Sequence, residues 1–360
     1  MAIVYLTSAF MLLGVFDKIV LHNRLGYGPK FDEGIMAMGS LALSMAGIMC
    51  LAPLIGRYLA PAISPVFRIF GTDPAMIAGA ILACDTGGYP LAVTMTQDTQ
   101  IAMLSGIFVG SMMGATIVFS IPVSLGMITE ADKPYLARGF LCGFISVPVG
   151  AFVSALTSGI SPVKALVNLI PLILVSLLLS YVMARFPERM LKIFHTFARI
   201  ITIFIHTGLA AGIFCALTGI TLIPGLDPIG PQLETCGIIA ITLAGAYPMV
   251  QFITTYLSKP LTLLGSLAGV SKEAAAGMVA CLANNIPLFG MLRSMEGHDK
   301  VVSVAFSVCA SFALGDHLGF AAAQCHAAAG PMITGKLAGG MTAIVIARLL
   351  QKTGRPAPQG

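Results

Sequence analysis

The chain has 360 residues, of which 57% are hydrophobic and only 10% charged, with a formal net charge of +5 and a mean hydropathy of +0.93. That is far more apolar material than a soluble core of this size carries, which excludes a soluble enzyme or nucleic-acid binder and indicates an all-α polytopic membrane protein embedded in a lipid bilayer. The basic excess then reads as loops on the cytoplasmic side.

The first apolar stretch, Ala2 to Leu13, precedes the first basic residue, Lys18, the reverse of a signal peptide's order, and reads as a retained span. Apolar segments then follow at about 34–57, 74–97, 101–128, 135–157, 163–184, 195–222, 237–257, 274–292, 301–323 and 329–350, eleven in all with the first. Two are poor spans. The segment 74–97 is cut by Asp85, Gly87, Gly88 and Pro90, and 274–292 by Asn284, Asn285 and Pro287. A break at mid-segment suits a re-entrant hairpin whose tip is buried in protein or lines a cavity.

Basic residues discriminate between the two topologies. With eleven spans, Lys and Arg divide ten to nine between the faces, Lys336 being left aside within the last span. With two hairpins, Arg57, Arg68 and Lys164 lie on one face and the other sixteen opposite. The positive-inside rule favours the second arrangement: nine spans, two hairpins, the N-terminus outside and the C-terminus cytoplasmic.

A shift of 198 residues aligns GSLALSMAGIM, from Gly39, with GIIAITLAGAY, from Gly237. Each unit (about 34–157 and 237–350) reads as a span, a short linker helix (58–70 and 259–269), a hairpin, a broken span and a closing span, with linking helices over 163–222. The expectation is one transmembrane domain over 1–350 followed by a short cytoplasmic tail, 351–360. Five crossings separate equivalent points, so the second copy is inverted. Inverted repeats with paired breaks are the layout of secondary transporters, with substrate near the midplane. The element order resembles that of concentrative nucleoside transporters.

Four strings converge in this scheme: CDTGGYP, LANNIPLFG, GSMMGATIVFSIP and ALGDHLGF. An ionisable side chain at membrane depth costs roughly 2.5 to 3.5 kcal/mol even on the lenient insertion scale, so Asp85 and Asp316 require a reason, usually a substrate or ion. Asp316 is the leading counter-charge for a small polar cation. Gly315 and Gly319 let the helix open, and His317 adds a hydrogen bond or a proton acceptor. The bland alternative is an Asp316–His317 pair that merely holds the break. Asp85 with Thr86 and Tyr89, and Asn284 with Asn285, are either walls of the site or tip-closing residues. Ser111, Thr116 and Ser120 supply hydroxyls that either meet substrate or bond back to their own helix.

The eight cysteines are scattered without a CxxC pair and read as buried apolar residues; no metal site or cofactor is expected. No soluble-enzyme motif is present, leaving an intramembrane enzyme built on Asp85 and Asp316, or a membrane sensor, as the readings from another class.

In order along the chain, FDEGIMAMGSLALSMAGI, ILACDTGGYPLA, GSMMGATIVFSIPVSLG, LIPGLDPI, LAGAYPMV, AAGMVACLANNIPLFGM and FALGDHLGFAAA closely resemble the ethanolamine permeases of ethanolamine-utilisation operons, the EutH family. The resemblance covers about residues 5–350, with Ala115, Tyr89-Pro90, the loop around Gln232 and a short tail as departures. It implies uptake of ethanolamine across the bacterial cytoplasmic membrane for catabolism. Protonated ethanolamine needs one carboxylate or a ring of carbonyls for its ammonium and neutral partners for its hydroxyl, which Asp316, Asn284 and Asn285 supply. With four heavy atoms and a ceiling near 1.5 kcal/mol per atom, its binding is limited to about 6 kcal/mol, or tens of micromolar. Another small amine or a nucleoside-like solute is the alternative cargo. Whether the chain forms a homo-oligomer is not written in one sequence.

Overall fold

A computed structural model describes residues 2–256 and 269–353, and the described residues contain helices and no strands. Seven helical stretches among them are long and apolar enough to cross a membrane. The chain is therefore a polytopic helical membrane protein. In chain order the helices are α1 (Ala2–Ile19), α2 (Tyr27–Leu41), α3 (Gly47–Ile69), α4 (Met76–Ile81), α5 (Tyr89–Met95) and α6 (Thr99–Met127). There follow α7 (Lys133–Thr157), α8 (Pro162–Arg185), α9 (Pro187–Thr218), α10 (Ile229–Tyr256), α11 (Lys272–Cys281), α12 (Ile286–Met291), α13 (Gly297–Ala310), α14 (Asp316–Gln324) and α15 (His326–Thr353).

Local chemistry explains where these helices begin and end. The Asp98 carboxylate accepts the backbone N–H groups of Gln100 and Ile101 and starts α6. Ser161 caps α8 through the Lys164 N–H, and Ser271 caps α11 through the Ala274 N–H. Gly219 closes α9 in the left-handed region at φ 73°.

Depth in the bundle differs sharply between helices. α6 is buried almost throughout, whereas α8 and α9 leave most of their surface open. Leu166, Leu177, Leu178, Ile200 and Ile203 are among the exposed residues of that pair, an outer apolar face of the kind lipid covers. The first half of α6, Met103–Gly114, is wound as a π-helix, and a second π turn spans Thr116–Ser120. The sequence suggests a break here, but the helix runs continuously and widens instead.

The two interrupted segments are pairs of short helices. At 1.5 Å per residue α4 and α5 are about 9 and 10 Å long, and α11 and α12 about 15 and 9 Å, so none alone crosses a hydrocarbon layer about 30 Å thick. Between α4 and α5 the turn Cys84–Gly88 reverses through Gly87 at φ 104°, a conformation that favours glycine. This first tip lies backbone to backbone against α6: a Cβ on Gly114 would sit 1.9 Å from the Leu82 carbonyl oxygen. The second tip is clasped differently. The N–H of Phe312 donates to the Cys281 carbonyl at 2.9 Å and that of Leu314 to the Leu282 carbonyl at 2.8 Å, so the tip pairs with the opened chain between α13 and α14.

Ionic contacts tie down the outer ends. Lys164 meets Asp98 at 2.6 Å, and the Thr96 hydroxyl donates to Asp73 at 2.6 Å, both near the base of the first interrupted segment. Near the second, Lys300 meets Asp132 at 2.6 Å and the Ser271 N–H donates to Asp299 at 3.1 Å. The linker helix expected at 58–70 is not separate, because α3 continues through it to Ile69. Its counterpart, expected at 259–269, and the tail expected at 351–360 lie almost wholly outside the described residues.

Candidate functional site

α13 ends at Ala310 and α14 begins at Asp316, so the break expected around Asp316 and His317 falls just before them, at 311–315. Phe312 occupies the left-handed region at φ 63°, unusual for a bulky residue. Its N–H bond to Cys281, its ring 4.9 Å from that of His317 and its edge contact with Phe119 at 5.6 Å hold it there. Asp316 and His317 thus form the first turn of a short helix whose start faces the bundle interior.

They point to different partners. Asp316 is half-buried and accepts the Tyr247 hydroxyl of α10 at 2.8 Å. His317 is buried, and its Nδ1 lies 3.2 Å from the Lys336 ammonium of α15. The Asp316–His317 pair weighed from the sequence is not formed: adjacent residues on one helical turn diverge by about 100°. Lys336 is fully buried and also donates to the Ser111 carbonyl oxygen of α6 at 2.5 Å. An ammonium has only donors, so Nδ1 is the acceptor and the neutral ring carries its proton on Nε2.

Lys336 reaches the centre because α15 packs closely on α7; a Cβ on Gly335 would lie 2.4 Å from the Gly150 carbonyl oxygen. Asp85, on the first tip, completes this group. One of its oxygens, the Cys84 sulfur and a His317 ring nitrogen lie within 4.8 Å of one another. Such a donor trio suits a metal, but Lys336 already brings a positive charge to the imidazole. Among the described residues, neither Asp85 nor Asp316 is in ion-pair contact with a Lys or Arg side chain.

The remaining candidates separate into satisfied and unsatisfied groups. Ser111 donates its hydroxyl to the Phe108 carbonyl, and Thr116 donates to those of Met112 and Val308, so both hydroxyls bond to backbone. Ser120 accepts the Asn285 amide at 2.7 Å, which joins the second tip to α6. Asn284 accepts the Ile286 N–H and closes its own turn. Tyr89 packs edge-on to Phe320 at 6.2 Å. By contrast, Thr86 Oγ1 and Asn285 Oδ1 are buried without a hydrogen-bond partner, one on each tip. Such atoms cost free energy unless a ligand or water serves them.

Two members of the site escape the sequence reading. Lys336 carries a signal, since the cost that singles out the carboxylates applies equally to a lysine inside the last span. Tyr247 carries none, because a tyrosine inside an apolar helix is ordinary and its partner is 69 residues away. Six of the eight cysteines are buried, Cys84 among them beside the site.

The sequence matches the family described as ethanolamine utilisation protein, EutH, over residues 1–350. It is 47% identical to a probable ethanolamine permease EutH of Listeria monocytogenes, the match covering 96% of this chain and 92% of that protein. It is 43% identical to the proteins of the same name from Salmonella typhimurium and Escherichia coli, over 97% of this chain and 94% of each. An uncharacterised Bacillus subtilis protein, YxeR, is 43% identical over 96% of this chain and 93% of its own length. No solved structure matches. With one family covering nearly the whole chain and relatives aligned along almost their full lengths, the chain belongs to the EutH family.

Proposed function

We propose that this protein is a carrier, not an enzyme, that takes up ethanolamine as its protonated cation across the bacterial cytoplasmic membrane. One observation bears most of the weight: the site holds two carboxylates, Asp85 and Asp316, and a single fixed ammonium, Lys336. With both carboxylates ionised, one negative charge is left uncompensated, and a monovalent cation supplies what is missing. Asp316, half-buried and held among the described residues by a neutral phenol, takes the substrate ammonium. The unpartnered Thr86 and Asn285 oxygens offer acceptors for its hydroxyl.

The names borne by the relatives support this cargo. Movement is by alternating access, with the two interrupted segments as inverted hairpins of a nine-span, two-hairpin fold whose element order is like that of concentrative nucleoside transporters. The similar pairs of short helices, each anchored by ionic contacts at its outer end, support that arrangement. In this topology the N-terminus is outside and the C-terminus cytoplasmic.

The test is uptake of labelled ethanolamine by proteoliposomes, with an inside-negative potential imposed. The expected result is net accumulation, competed by ethanolamine and only weakly by nucleosides. Absence of net flux, or a chemically altered product, overturns the carrier reading in favour of a sensor or an enzyme. Recording the pH of the lumen in the same experiment separates uniport of the cation, which leaves it unchanged, from proton-linked transport.

A further inference from the structure

Lys336 has no role in the scheme so far beyond balancing charge, yet its surroundings are those of a binding subsite. Its ammonium is wholly buried, and its donors face the Ser111 carbonyl oxygen and His317 Nδ1. The Asp85 carboxylate lies within the same group, an oxygen within 4.8 Å of a His317 ring nitrogen. A backbone carbonyl, a neutral imidazole acceptor and a nearby carboxylate recognise an alkylammonium whether it arrives on a protein side chain or on a small molecule. These groups come from three elements: α6, α14 and the first tip. Asp316 adjoins this group in sequence, one residue before His317 at the start of α14.

We propose that Lys336 is a specificity-determining residue: its tethered ammonium fills a second cation subsite and so confines the carrier to amines bearing one ammonium, excluding diamines. The inference rests on the reading of Asp316 as the first cation subsite. A short diamine such as 1,3-diaminopropane, with one ammonium at Asp316, would carry its second charge into a site that already holds the Lys336 ammonium. Like charges brought together in a water-poor site repel strongly, and the Ser111 and His317 acceptors are already occupied. Ethanolamine escapes the conflict because its far end is a neutral hydroxyl.

Truncating Lys336 should invert the preference. Lys336→Ala leaves two acceptors and a carboxylate without their cation, together with the space vacated by the four-carbon stem. The full-length protein, purified in detergent as wild type, Lys336→Ala and Asp85→Asn/Lys336→Ala, is to be unfolded thermally with and without 1,3-diaminopropane. The control is 3-amino-1-propanol, which has the same skeleton and one ammonium. The same compounds are tested as competitors of labelled ethanolamine uptake by the wild type.

For wild type the inference predicts that 1,3-diaminopropane competes at least tenfold more weakly than 3-amino-1-propanol. In Lys336→Ala the diamine should stabilise at concentrations at least tenfold lower than the aminoalcohol, and removing the Asp85 charge in the double variant should cancel that gain. Equal competition by the two compounds in wild type overturns the inference, and this arm does not depend on any variant folding. So does a folded Lys336→Ala protein indifferent to the diamine. Wild type that neither binds nor moves ethanolamine would instead strike the carrier reading, whereas the diamine response of Lys336→Ala is read without any flux.

Discussion

The two carboxylates of the site live in different company. Asp85, on the first tip, shares a compact group with Cys84, His317 and the buried ammonium of Lys336. Asp316, at the start of α14, has the Tyr247 hydroxyl as its hydrogen-bond donor. Asp85 shares its surroundings with the protein's own buried cation without an ion-pair contact to it, and Asp316 is steadied by a neutral group that an incoming cation need not displace. The lesson is that a carboxylate's availability depends on what already compensates it more than on its depth.

The largest effect should come from Asp316→Asn. Removing one partner of a buried charge pair costs about 3 to 5 kcal/mol, so ethanolamine uptake should fall by at least about 100-fold while size-exclusion behaviour stays unchanged. Asp85→Asn should act first on stability. It removes a negative charge from near the Lys336 ammonium, which keeps its Ser111 and His317 acceptors, and should lower the unfolding free energy in detergent by about 1 to 3 kcal/mol; a second change, Lys336→Met, should recover most of that loss. A comparable destabilisation by Asp316→Asn would erase the contrast between the two carboxylates.

Gly114→Ala asks whether the first tip must lie flush on α6. With the new Cβ 1.9 Å from the Leu82 oxygen, the tip has to move, at about 1 to 3 kcal/mol of stability and with reduced uptake. Tyr247→Phe sharpens the comparison on the Asp316 side. It removes one hydrogen bond to a charged group, about 1.5 kcal/mol, and should raise the KM for uptake with only a slight fall in melting temperature.

The smallest expected effect lies at the outer end of the first interrupted segment. The hydrogen bond from Lys164 holds the Asp98 carboxyl below its usual range, helped by the N–H groups at the start of α6. A depressed folded value contributes stability above the unfolded value, near 3.9, that is lost as the pH falls through the lower folded value. Wild type should therefore melt slightly above Asp98→Asn at neutral pH, and the two curves should converge in strong acid. The effect is small because the pair is partly exposed to solvent.

Much of this arrangement is legible in the sequence, and the misses have physical causes. Asp85 and Asp316 stand out because a carboxylate in an apolar segment is costly, and both helix interruptions are announced by Asn, Gly and Pro. The opening before α14 falls at 311–315 rather than at Asp316 because Cys281 and Leu282, far back in the sequence, offer their carbonyls to Phe312 and Leu314. No local pattern records that pairing. The π winding of α6 accompanies close backbone contacts with the first tip at Gly110 and Gly114, again a tertiary arrangement. Lys336 is visible but is absorbed into its span when only loop charges are counted, and Tyr247 becomes meaningful only once α10 is seen beside α14.

The most direct test of the central claim is the initial rate of labelled ethanolamine uptake by wild type and Asp316→Asn, reconstituted at equal density under the same membrane potential. The account predicts saturable uptake by wild type with modest affinity, tens of micromolar or weaker, and a rate indistinguishable from protein-free vesicles for the folded variant. Wild-type flux through Asp316→Asn would contradict it.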